Sequence, residues 1–432
     1  MSNINLDTDP ERNPANPETK HAAELAGPDD QTKLTFAQLA AQGHGATRLN
    51  PDAEAVLSVD DLKMYFPVKS SGVVRRTIGH VQAVDGISFE VPRGGSLGLV
   101  GESGCGKSTT GRLITRLYEP TGGAMYFGED RVDLAKLSNR AMKPYRRDVQ
   151  MIFQDPYTSL NPRHTVGSIV GAPLAVHKVV PKNKIKDRVK ELLEVVGLNP
   201  EHYNRYPNEF SGGQRQRIGI ARALTLNPKL LVADEPVSAL DVSIQAQVVN
   251  LLQELQAEMD IAFLFIAHDL AIVRHFCPEV AVMYLGKIVE IADRETIYGS
   301  AHHPYTQALL SAVPDVKQAA IGGRRERIRL EGDVPSPINP PSGCRFRTRC
   351  HLAQDICAKV EPPLLQIGPR HKVACHFAGE LGDAPRTPVT SGLLGVDGQG
   401  SPDPSVTPEE LATGPGYEKR WFDVKSRQMV SA

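Results

Sequence analysis

The segment GESGCGKST, from Gly101 to Thr109, constrains the fold more than any other part of the chain. Its spacing is G-x-x-x-x-G-K-S, and it follows an apolar run, SLGLV at 96–100, that predicts a buried strand. Glycines let the backbone curl so that successive N–H groups point at a polyphosphate, and a helix N-terminus adds the positive end of its dipole. The sequence therefore predicts a strand, a phosphate-binding loop and a helix that begins near Lys107.

The side chains of this loop indicate which ligand it binds. Lys107 can reach the β- and γ-phosphates as a point charge, and the Ser108 hydroxyl can ligate the Mg²⁺ that bridges them. The residues expected to contact the nucleotide are Gly101, Glu102, Ser103, Gly104, Cys105, Gly106, Lys107, Ser108 and Thr109. The loop alone predicts only that a nucleoside triphosphate binds together with Mg²⁺.

Composition narrows the class of protein. The 432 residues are 41% hydrophobic and 23% charged, with a formal net charge of −1, so no general attraction to nucleic acid is expected. The longest apolar runs, such as 261–267, fall far short of the roughly 20 residues that a membrane helix needs. The first residues lack the pattern of a secretory signal. We therefore expect a cytosolic location, where thiols stay reduced.

The chain divides into four predicted parts. Residues 1–54 and 379–432 are rich in proline and small polar residues, which predicts a disordered arm and a disordered tail. Residues 55–320 carry the phosphate loop, and their short β-rich runs at 56–62 and 81–91 predict an antiparallel edge sheet. Helical spacing from about 155 to 225 predicts an inserted helical subdomain. Residues 321–378 are the fourth part, a small C-terminal extension that is implied by the family resemblance given below.

Polar residues end three of the predicted strands. Gln154 follows the run at 149–153, Asp234 and Glu235 end the run at 229–235, and His268 ends a later one. Ligands bind at the carboxyl ends of strands in a doubly wound sheet, so these side chains are expected to gather near Lys107. Asp234 is predicted to hold Mg²⁺, Glu235 to act as general base towards water, and His268 to contact the γ-phosphate.

Two further segments are candidates for nucleotide contact. Ser211, Gly212, Gly213 and Gln214 precede a helical pattern, and such a helix start can hold a second phosphate contact. An ordinary N-cap explains Ser211 but not two consecutive glycines, which destabilise a helix unless close approach requires them. Tyr65 and Phe66 end the first β-rich run; either ring could stack on adenine, and core packing is the alternative for both.

In this order the motifs resemble the nucleotide-binding subunit of an ATP-binding-cassette (ABC) transporter over roughly residues 55–300. The resemblance rests on the phosphate loop, Gln154, FSGGQ at 210–214, the Asp234-Glu235 strand, SALD at 238–241 and His268. Phe210 replaces the commoner leucine of the family. The resemblance implies an α/β fold: a RecA-like P-loop ATPase core with an antiparallel β subdomain, a helical subdomain and a small cysteine-bearing C-terminal extension.

The resemblance also implies roles that a single sequence cannot derive. Phe66, with Tyr65 as the next candidate, stands where an aromatic ring stacks on adenine. Gln154 would sense Mg²⁺ and water, and Asp241 of the SALD turn would belong to the ATP site.

The same resemblance implies partners. A second ATPase subunit, identical or a paralogue, would face the chain head to tail, so that Ser211 to Gln214 complete the partner's ATP site. Two membrane permease subunits would hold the chain peripherally at the cytoplasmic face of the inner membrane. An extracytoplasmic substrate-binding protein would deliver the solute to these permease subunits.

Downstream the resemblance narrows to oligopeptide and dipeptide importers, including relatives for nickel and glutathione. It rests on HHPYTQALLSAVP at 302–314 and LEGDVPSPINPPSGCRFRTRC at 330–350. The expected function is ATP hydrolysis that powers peptide import through a separate permease. The alternatives are nickel or glutathione import by the same ATPase, and a soluble cassette ATPase with no role in transport.

Four of the six cysteines crowd the extension, namely Cys344, Cys350, Cys357 and Cys375. A reduced compartment argues against disulfides, whereas four thiolates can ligate an iron–sulfur cluster or zinc. No C-x₂-C pair is present, so common zinc ribbons fit poorly. We therefore predict that the four cysteines hold a [4Fe-4S] cluster, with a zinc site and free thiols as the alternatives. His371 and His376 are substitute ligands or, more simply, surface histidines.

Overall fold

The computed structural model describes residues 54–70, 76–313, 327–368 and 370–378. All of them belong to one compact unit, which begins at Asp52. The predicted disordered arm and tail lie outside the described residues, apart from residue 54. Within the described ranges, no helix combines the length and apolar character needed to cross a bilayer.

The strands of the described residues form two sheets. In chain order they are β1 (Ala55–Lys69), β2 (Thr77–Pro92), β3 (Ser96–Val100), β4 (Gly122–Phe127), β5 (Val132–Asp133), β6 (Val149–Ile152), β7 (Leu230–Asp234), β8 (Ala262–Ala267), β9 (Glu279–Tyr284), β10 (Lys287–Asp293), β11 (Leu365–Gly368) and β12 (His371–Val373).

The helices connect these strands. They are α1 (Lys107–Ile114), α2 (Tyr145–Asp148), α3 (Pro156–Ser159), α4 (Val166–His177), α5 (Ile185–Val195), α6 (Gly212–Leu224), α7 (Val242–Met259), α8 (Leu270–Phe276), α9 (Arg294–Ser300), α10 (Pro304–Ala312) and α11 (Asp355–Lys359). Short 3₁₀ turns occupy Leu134–Lys136, Lys182–Lys184, Pro200–Asn204, Pro207–Glu209 and Arg347–Arg349.

The smaller sheet is antiparallel, in the order β2-β1-β4-β5. Leu57 and Val59 of β1 are buried two positions apart, as expected of a strand with one face on the core. The register of β1 against β2 shifts between Val59 and Leu62, so both strands run longer and more irregularly than the sequence pattern indicates. The predicted antiparallel edge sheet is present.

The larger sheet has the order β11-β12-β10-β9-β3-β8-β7-β6. Its strands β9, β3, β8, β7 and β6 are parallel neighbours. Every residue of β3, β7 and β8 is buried. Parallel strands carry helices on both faces, which explains their continuous apolar sequences. This geometry places the ends of β3, β6, β7 and β8 along one edge.

The helical subdomain lies between β6 and β7 in the sequence and comprises α3 to α6. Its helices pack through buried side chains such as Val170, Leu192, Leu193 and Ile218. Gly197, which has a positive φ of 72°, lies just beyond the end of α5, as is typical of a helix C-terminus.

The extension continues the larger sheet of the cassette. β12 pairs antiparallel with β10, with Glu290 opposite Val373 and Ile291 opposite Lys372, and β11 pairs with β12. Residues 321–378 were predicted to be a separate part of the chain. Their strands β11 and β12 instead cover the sheet edge that β10 would otherwise expose.

Candidate active site

The phosphate loop has the geometry that its glycines predict. Gly106 precedes α1 with φ at 110°, and a Cβ added there would lie 2.1 Å from the Ala83 carbonyl oxygen. Only glycine fits both the left-handed conformation and this approach of two backbones. The loop therefore passes directly from β3 into the helix start at Lys107.

Lys107 is held inside the loop. The residue is 4% exposed, and its Nζ donates hydrogen bonds to the carbonyl oxygens of Gly101 at 2.8 Å and Glu102 at 2.9 Å. These contacts keep the ammonium group among the backbone amides that would receive phosphates.

Ser108 and Asp234 form the pair best suited to Mg²⁺. The Ser108 hydroxyl donates a hydrogen bond to Asp234 Oδ1 at 2.8 Å, although the two residues are 126 positions apart. Burial raises the pKa of the Asp234 carboxyl group, so a nearby cation would help to keep it ionised. Hydroxyl and carboxylate oxygens are the ligands that Mg²⁺ prefers, and the pair fits that ion.

Three strand ends converge on one carboxylate oxygen. Glu235 Oε2 accepts a hydrogen bond from Gln154 Nε2 at 2.9 Å and lies 3.3 Å from His268 Nδ1. Glu235 itself has φ at 46°, an unusual conformation of the kind found at functional sites. We call Lys107, Ser108, Gln154, Asp234, Glu235 and His268 the nucleotide edge. Gln154 bonds to the predicted base, and its expected role as a Mg²⁺ ligand stays a prediction.

The Ser211 segment is a helix cap. Ser211 Oγ accepts from the Gln214 amide at 3.3 Å, and Gln214 Oε1 accepts from the Ser211 amide at 3.0 Å. A Cβ on Gly213 would lie 2.5 Å from Ile244 Cγ2, so packing of α6 against α7 already requires this glycine. Within the described residues, the side chains of Ser211 and Gln214 each bond to the other's backbone amide and not to the phosphate loop.

Asp241 also has a local structural role. Its Oδ1 accepts from the Ile244 amide at 3.0 Å and caps the start of α7. That amide and the Ser243 hydroxyl lower the pKa of the Asp241 carboxyl group. A contact of Asp241 with ATP stays a prediction.

The two candidate adenine rings differ in their partners. The Tyr65 hydroxyl donates to Asp85, and burial together with that carboxylate raises the pKa of Tyr65 to about 12. The Phe66 ring is half-buried and meets the Tyr118 ring edge-on at 5.5 Å. Since Tyr65 is fixed by its hydroxyl, Phe66 is the better candidate for stacking on adenine.

The four cysteines of the extension line one small, buried pocket, together with Phe346 and His376 among others. All four are free thiols. Burial raises the pKa of each of them, to about 12 for Cys344 and Cys375. The structure therefore brings together residues that the sequence spreads over 32 positions.

A buried carboxylate in the same region escaped the sequence analysis. Glu290 is fully buried and accepts hydrogen bonds from the His302 amide at 2.7 Å, the His303 amide at 3.1 Å and His371 Nε2 at 2.9 Å. The one available signal was an acid inside the apolar run IVEIA, followed twelve residues later by HHP.

The expectation of surface histidines at His371 and His376 is wrong. These residues are 5% and 8% exposed, because His371 pairs with Glu290 and His376 bonds to the Val360 carbonyl oxygen. In the part of the chain that the structure describes, Glu290, His302 and His371 form the one group of three metal-ligating side chains whose atoms lie within 4.8 Å of each other. The His371–Glu290 hydrogen bond, the His302 backbone amide on the same carboxylate and the contact of the two imidazole rings account for this proximity.

Comparison with known proteins identifies the family. Residues 84–238 match the family model described as ABC transporter, and residues 289–357 match the one described as Oligopeptide/dipeptide transporter, C-terminal region. Oligopeptide transport ATP-binding protein AppF of Bacillus subtilis (strain 168) is 53% identical over 325 residues, which cover 75% of this chain and 98% of the relative. The chain belongs to the ATP-binding proteins of ABC transporters.

A second relative agrees with this assignment. Putative peptide import ATP-binding protein BOV_A0347 of Brucella ovis is 52% identical over 320 residues, or 74% of this chain and 97% of the relative. A dimeric structure of the ATP-binding cassette MJ0796 with ADP and Pi aligns at a TM-score of 0.48 and 26% identity, over 55% of this chain and 98% of that one. As an ABC ATPase, the chain described here uses ATP and Mg²⁺. The RecA-like fold predicted for it is confirmed.

Proposed function

We propose that this ABC ATPase powers the import of dipeptides or oligopeptides through a separate membrane permease. The observation that carries the proposal is the 53% identity to an oligopeptide transport protein across 98% of its length. The matched C-terminal region of oligopeptide and dipeptide transporters adds support. Nickel or glutathione import and a soluble role without a permease are the alternatives, and no described feature favours them.

We propose the following roles in hydrolysis. Lys107 and the loop amides hold the β- and γ-phosphates, while Ser108 and Asp234 hold Mg²⁺. When bound, Mg²⁺ would neutralise charge on the phosphate oxygens. Glu235 takes the proton of the attacking water while the water oxygen bonds to the γ-phosphorus; the bond from that phosphorus to the β–γ bridging oxygen breaks, and ADP and inorganic phosphate are the products.

Gln154 and His268 act through Glu235 in this proposal. The Gln154 amide and the His268 ring both lie within 3.3 Å of Glu235 Oε2, which fixes the direction of that oxygen. The other carboxylate oxygen, Oε1, is then left to face water. Because 55% of the His268 side chain is exposed, its ring can also reach a γ-phosphate.

We further propose a head-to-tail pair of ATPase subunits, either two copies or this chain with a paralogue. Ser211 is exposed at the start of α6, where its backbone amides and hydroxyl can complete the ATP site of a partner. Two permease subunits and an extracytoplasmic substrate-binding protein would finish the assembly. The ATPase would then sit peripherally at the cytoplasmic face of the inner membrane.

For the cysteine pocket we propose a [4Fe-4S] cluster held by Cys344, Cys350, Cys357 and Cys375. A tetrahedral zinc site with bonds of about 2.3 Å requires sulfurs roughly 4 Å apart. No three of these four described thiols lie within 4.8 Å of one another, which favours a larger group over a single ion. When bound, the cluster would supply a cross-link between three segments of the extension.

Iron and sulfide analysis tests the cluster. The full-length ATPase would be purified without oxygen, as wild type, as Cys357→Ser and as Cys277→Ser. Cys277 is a matched control because it is fully buried but lies at the end of α8, away from the pocket. We expect iron with sulfide in wild type and Cys277→Ser, and its loss in Cys357→Ser. Zinc, or no metal in wild type, would contradict the proposal.

Reconstitution tests the transport function. The ATPase would be placed in vesicles with its permease and binding protein, and ATP hydrolysis measured with dipeptides, oligopeptides, nickel or glutathione. Peptide-dependent stimulation in wild type, absent in Glu235→Gln, is the expected result. If only nickel or glutathione stimulates hydrolysis, the ATPase serves import of that solute and the peptide proposal is wrong. If the ATPase is isolated in a soluble complex without a permease, the non-transport alternative is favoured.

A further inference from the structure

The C-terminal extension touches the phosphate loop directly. Arg349 Nη1 lies 2.6 Å from Glu102 Oε2, and Nη2 lies 3.2 Å from Oε1. The two residues are 247 positions apart, and Glu102 is the second residue of the loop. This two-pronged geometry is the strong form of an arginine–carboxylate pair, because it fixes orientation as well as distance.

The pair is shielded from water on the arginine side. The Arg349 side chain is 8% exposed and that of Glu102 is 28% exposed. The charged hydrogen bond to Glu102 raises the pKa of Arg349 further, so the guanidinium stays protonated. A carboxylate in such a position depends on its partner for neutralisation.

A second contact holds the backbone of the same residue. The Glu102 amide donates a hydrogen bond of 2.8 Å to the hydroxyl of Tyr305, which is fully buried in α10. The Tyr305 ring packs against Tyr284 at 4.7 Å and against Phe346 of the extension at 5.3 Å. Arg349 follows Phe346 by three residues. The cluster of Tyr284, Tyr305 and Phe346 therefore supports both contacts to Glu102, the one from Tyr305 and the one from Arg349.

The extension also reaches the sheet that carries the candidate adenine ring. Arg345 donates to the Leu285 carbonyl oxygen at 2.6 Å and to Gln82 Oε1 at 2.7 Å, and it pairs with Asp85. Asp85 in turn accepts from the Tyr65 hydroxyl. Arg345 and Arg349 adjoin Cys344 and Cys350, so the segment that carries two pocket thiols also braces the nucleotide site.

We propose that Arg349 is a positioning residue for ATP binding: it neutralises Glu102 and fixes the phosphate loop from the C-terminal extension. Glu102 stands within the glycine-rich turn that receives the triphosphate, and without Arg349 its unpaired charge would repel that ligand. The inference rests on the ATP site proposed above, and it does not depend on what the four thiols hold.

The experiment is a double-mutant cycle on the full-length chain, with Mg²⁺-ATP and Mg²⁺-ADP affinities measured by calorimetry and KM and kcat by hydrolysis. We expect Arg349→Gln to weaken ATP binding about tenfold and ADP binding less, since ADP carries less charge. KM should rise more than kcat falls. In Glu102→Gln/Arg349→Gln the affinity should lie within about twofold of that of Glu102→Gln alone, because the repelling charge is gone.

Arg347→Gln is the matched control. Arg347 lies in the same 3₁₀ turn, but its Nε bonds to the Ser342 carbonyl oxygen within the extension. It should bind ATP like wild type. If Arg349→Gln does not fold, Arg349→Lys, which keeps the charge but loses the two-pronged geometry, should weaken ATP binding by a few-fold and show a smaller effect at high salt.

Three results would overturn the inference: unchanged ATP affinity in the Arg349 variants, a double variant as weak as Arg349→Gln, or an equal loss in Arg347→Gln. Failure of the underlying site assignment has a different signature. In that case Lys107→Ala would bind ATP with wild-type affinity. If Lys107→Ala binds ATP weakly while Arg349→Gln binds it with wild-type affinity, only the role of Arg349 is rejected.

Discussion

At the nucleotide edge each charged or polar side chain meets a partner, and the exposure of these side chains ranges from the buried Lys107 and Asp234 to the half-exposed His268. Glu235 lies beside Gln154 and His268, and 55% of the His268 side chain is exposed. In the cysteine pocket, Cys357 is 7% and Cys375 is 8% exposed, and burial raises the pKa of both thiols. The two regions belong to the same compact unit.

The difference shows how each region can bind its ligand. The nucleotide edge holds its charged groups in hydrogen bonds to polar partners, and only its rim at His268 is widely open, which suits a substrate that enters and leaves in each cycle. The cysteine pocket holds neutral thiols that ionise only when a cation compensates them. We therefore expect substitutions at the edge to change kinetics, and substitutions around the extension to change stability or metal content.

Glu235→Gln should give the largest effect. Because Glu235 is proposed to activate water and not to bind the nucleotide, hydrolysis should fall about a thousandfold while ATP binding persists and a nucleotide-bound dimer accumulates. ATPase assays, calorimetry and gel filtration measure these quantities. Glu295→Gln is the control, because Glu295 is exposed and pairs only with Arg294 among the described residues. Loss of ATP binding in Glu235→Gln would refute its assignment as base.

Lys107→Ala should act on affinity. Removal of a buried ammonium group from the loop should weaken ATP binding on the order of 100-fold, as measured by calorimetry. Lys136→Ala provides a comparison, since that exposed lysine pairs with Asp133 elsewhere in the cassette. Unchanged affinity in Lys107→Ala would remove Lys107 from the ATP site.

Glu290→Gln tests whether substitutions around the extension change stability. Burial alone would raise the pKa of Glu290, but hydrogen bonds from the His371 ring and the His302 amide lower it below its usual 4.5. The ionised form therefore contributes stability above about pH 4.5, and that contribution is lost as the pH falls through the lower folded-state pKa. At pH 7 we expect the free energy of unfolding to drop by about 3 kcal/mol.

Denaturant unfolding at several pH values measures this effect. The difference between wild type and Glu290→Gln should shrink as the pH falls below about 4.5. Glu361→Gln, at an exposed residue of the same extension, should leave stability nearly unchanged. A difference that grows at low pH would contradict the role of the ionised carboxylate.

Ser211→Ala should give the smallest change in stability. Loss of the cap should cost about 1 kcal/mol, and Thr165→Ala, which removes a similar cap from α4, should cost the same. Only Ser211→Ala should also lower hydrolysis, because Ser211 is proposed to complete the ATP site of a partner. Equal hydrolysis in the two variants would leave Ser211 with a capping role alone.

The nucleotide edge could be predicted from the sequence almost completely. Strand β3 occupies the predicted residues 96–100, α1 begins at Lys107, and Gln154, Glu235 and His268 meet as their strand ends predict. Local patterns suffice there, because a loop spacing and apolar runs are properties of neighbouring residues. Parallel strands then bring their ends to one edge in any sheet of this class.

The tertiary structure alone decided the contacts of the extension. No local pattern in the sequence indicates that β12 pairs with β10, that His371 is the ring that meets Glu290, or that Arg349 meets Glu102. Each contact joins residues far apart in the chain, and its energy depends on burial that only the completed fold supplies. The sequence determined which chemistry the chain carries, and the tertiary structure decided which distant charges hold it in place.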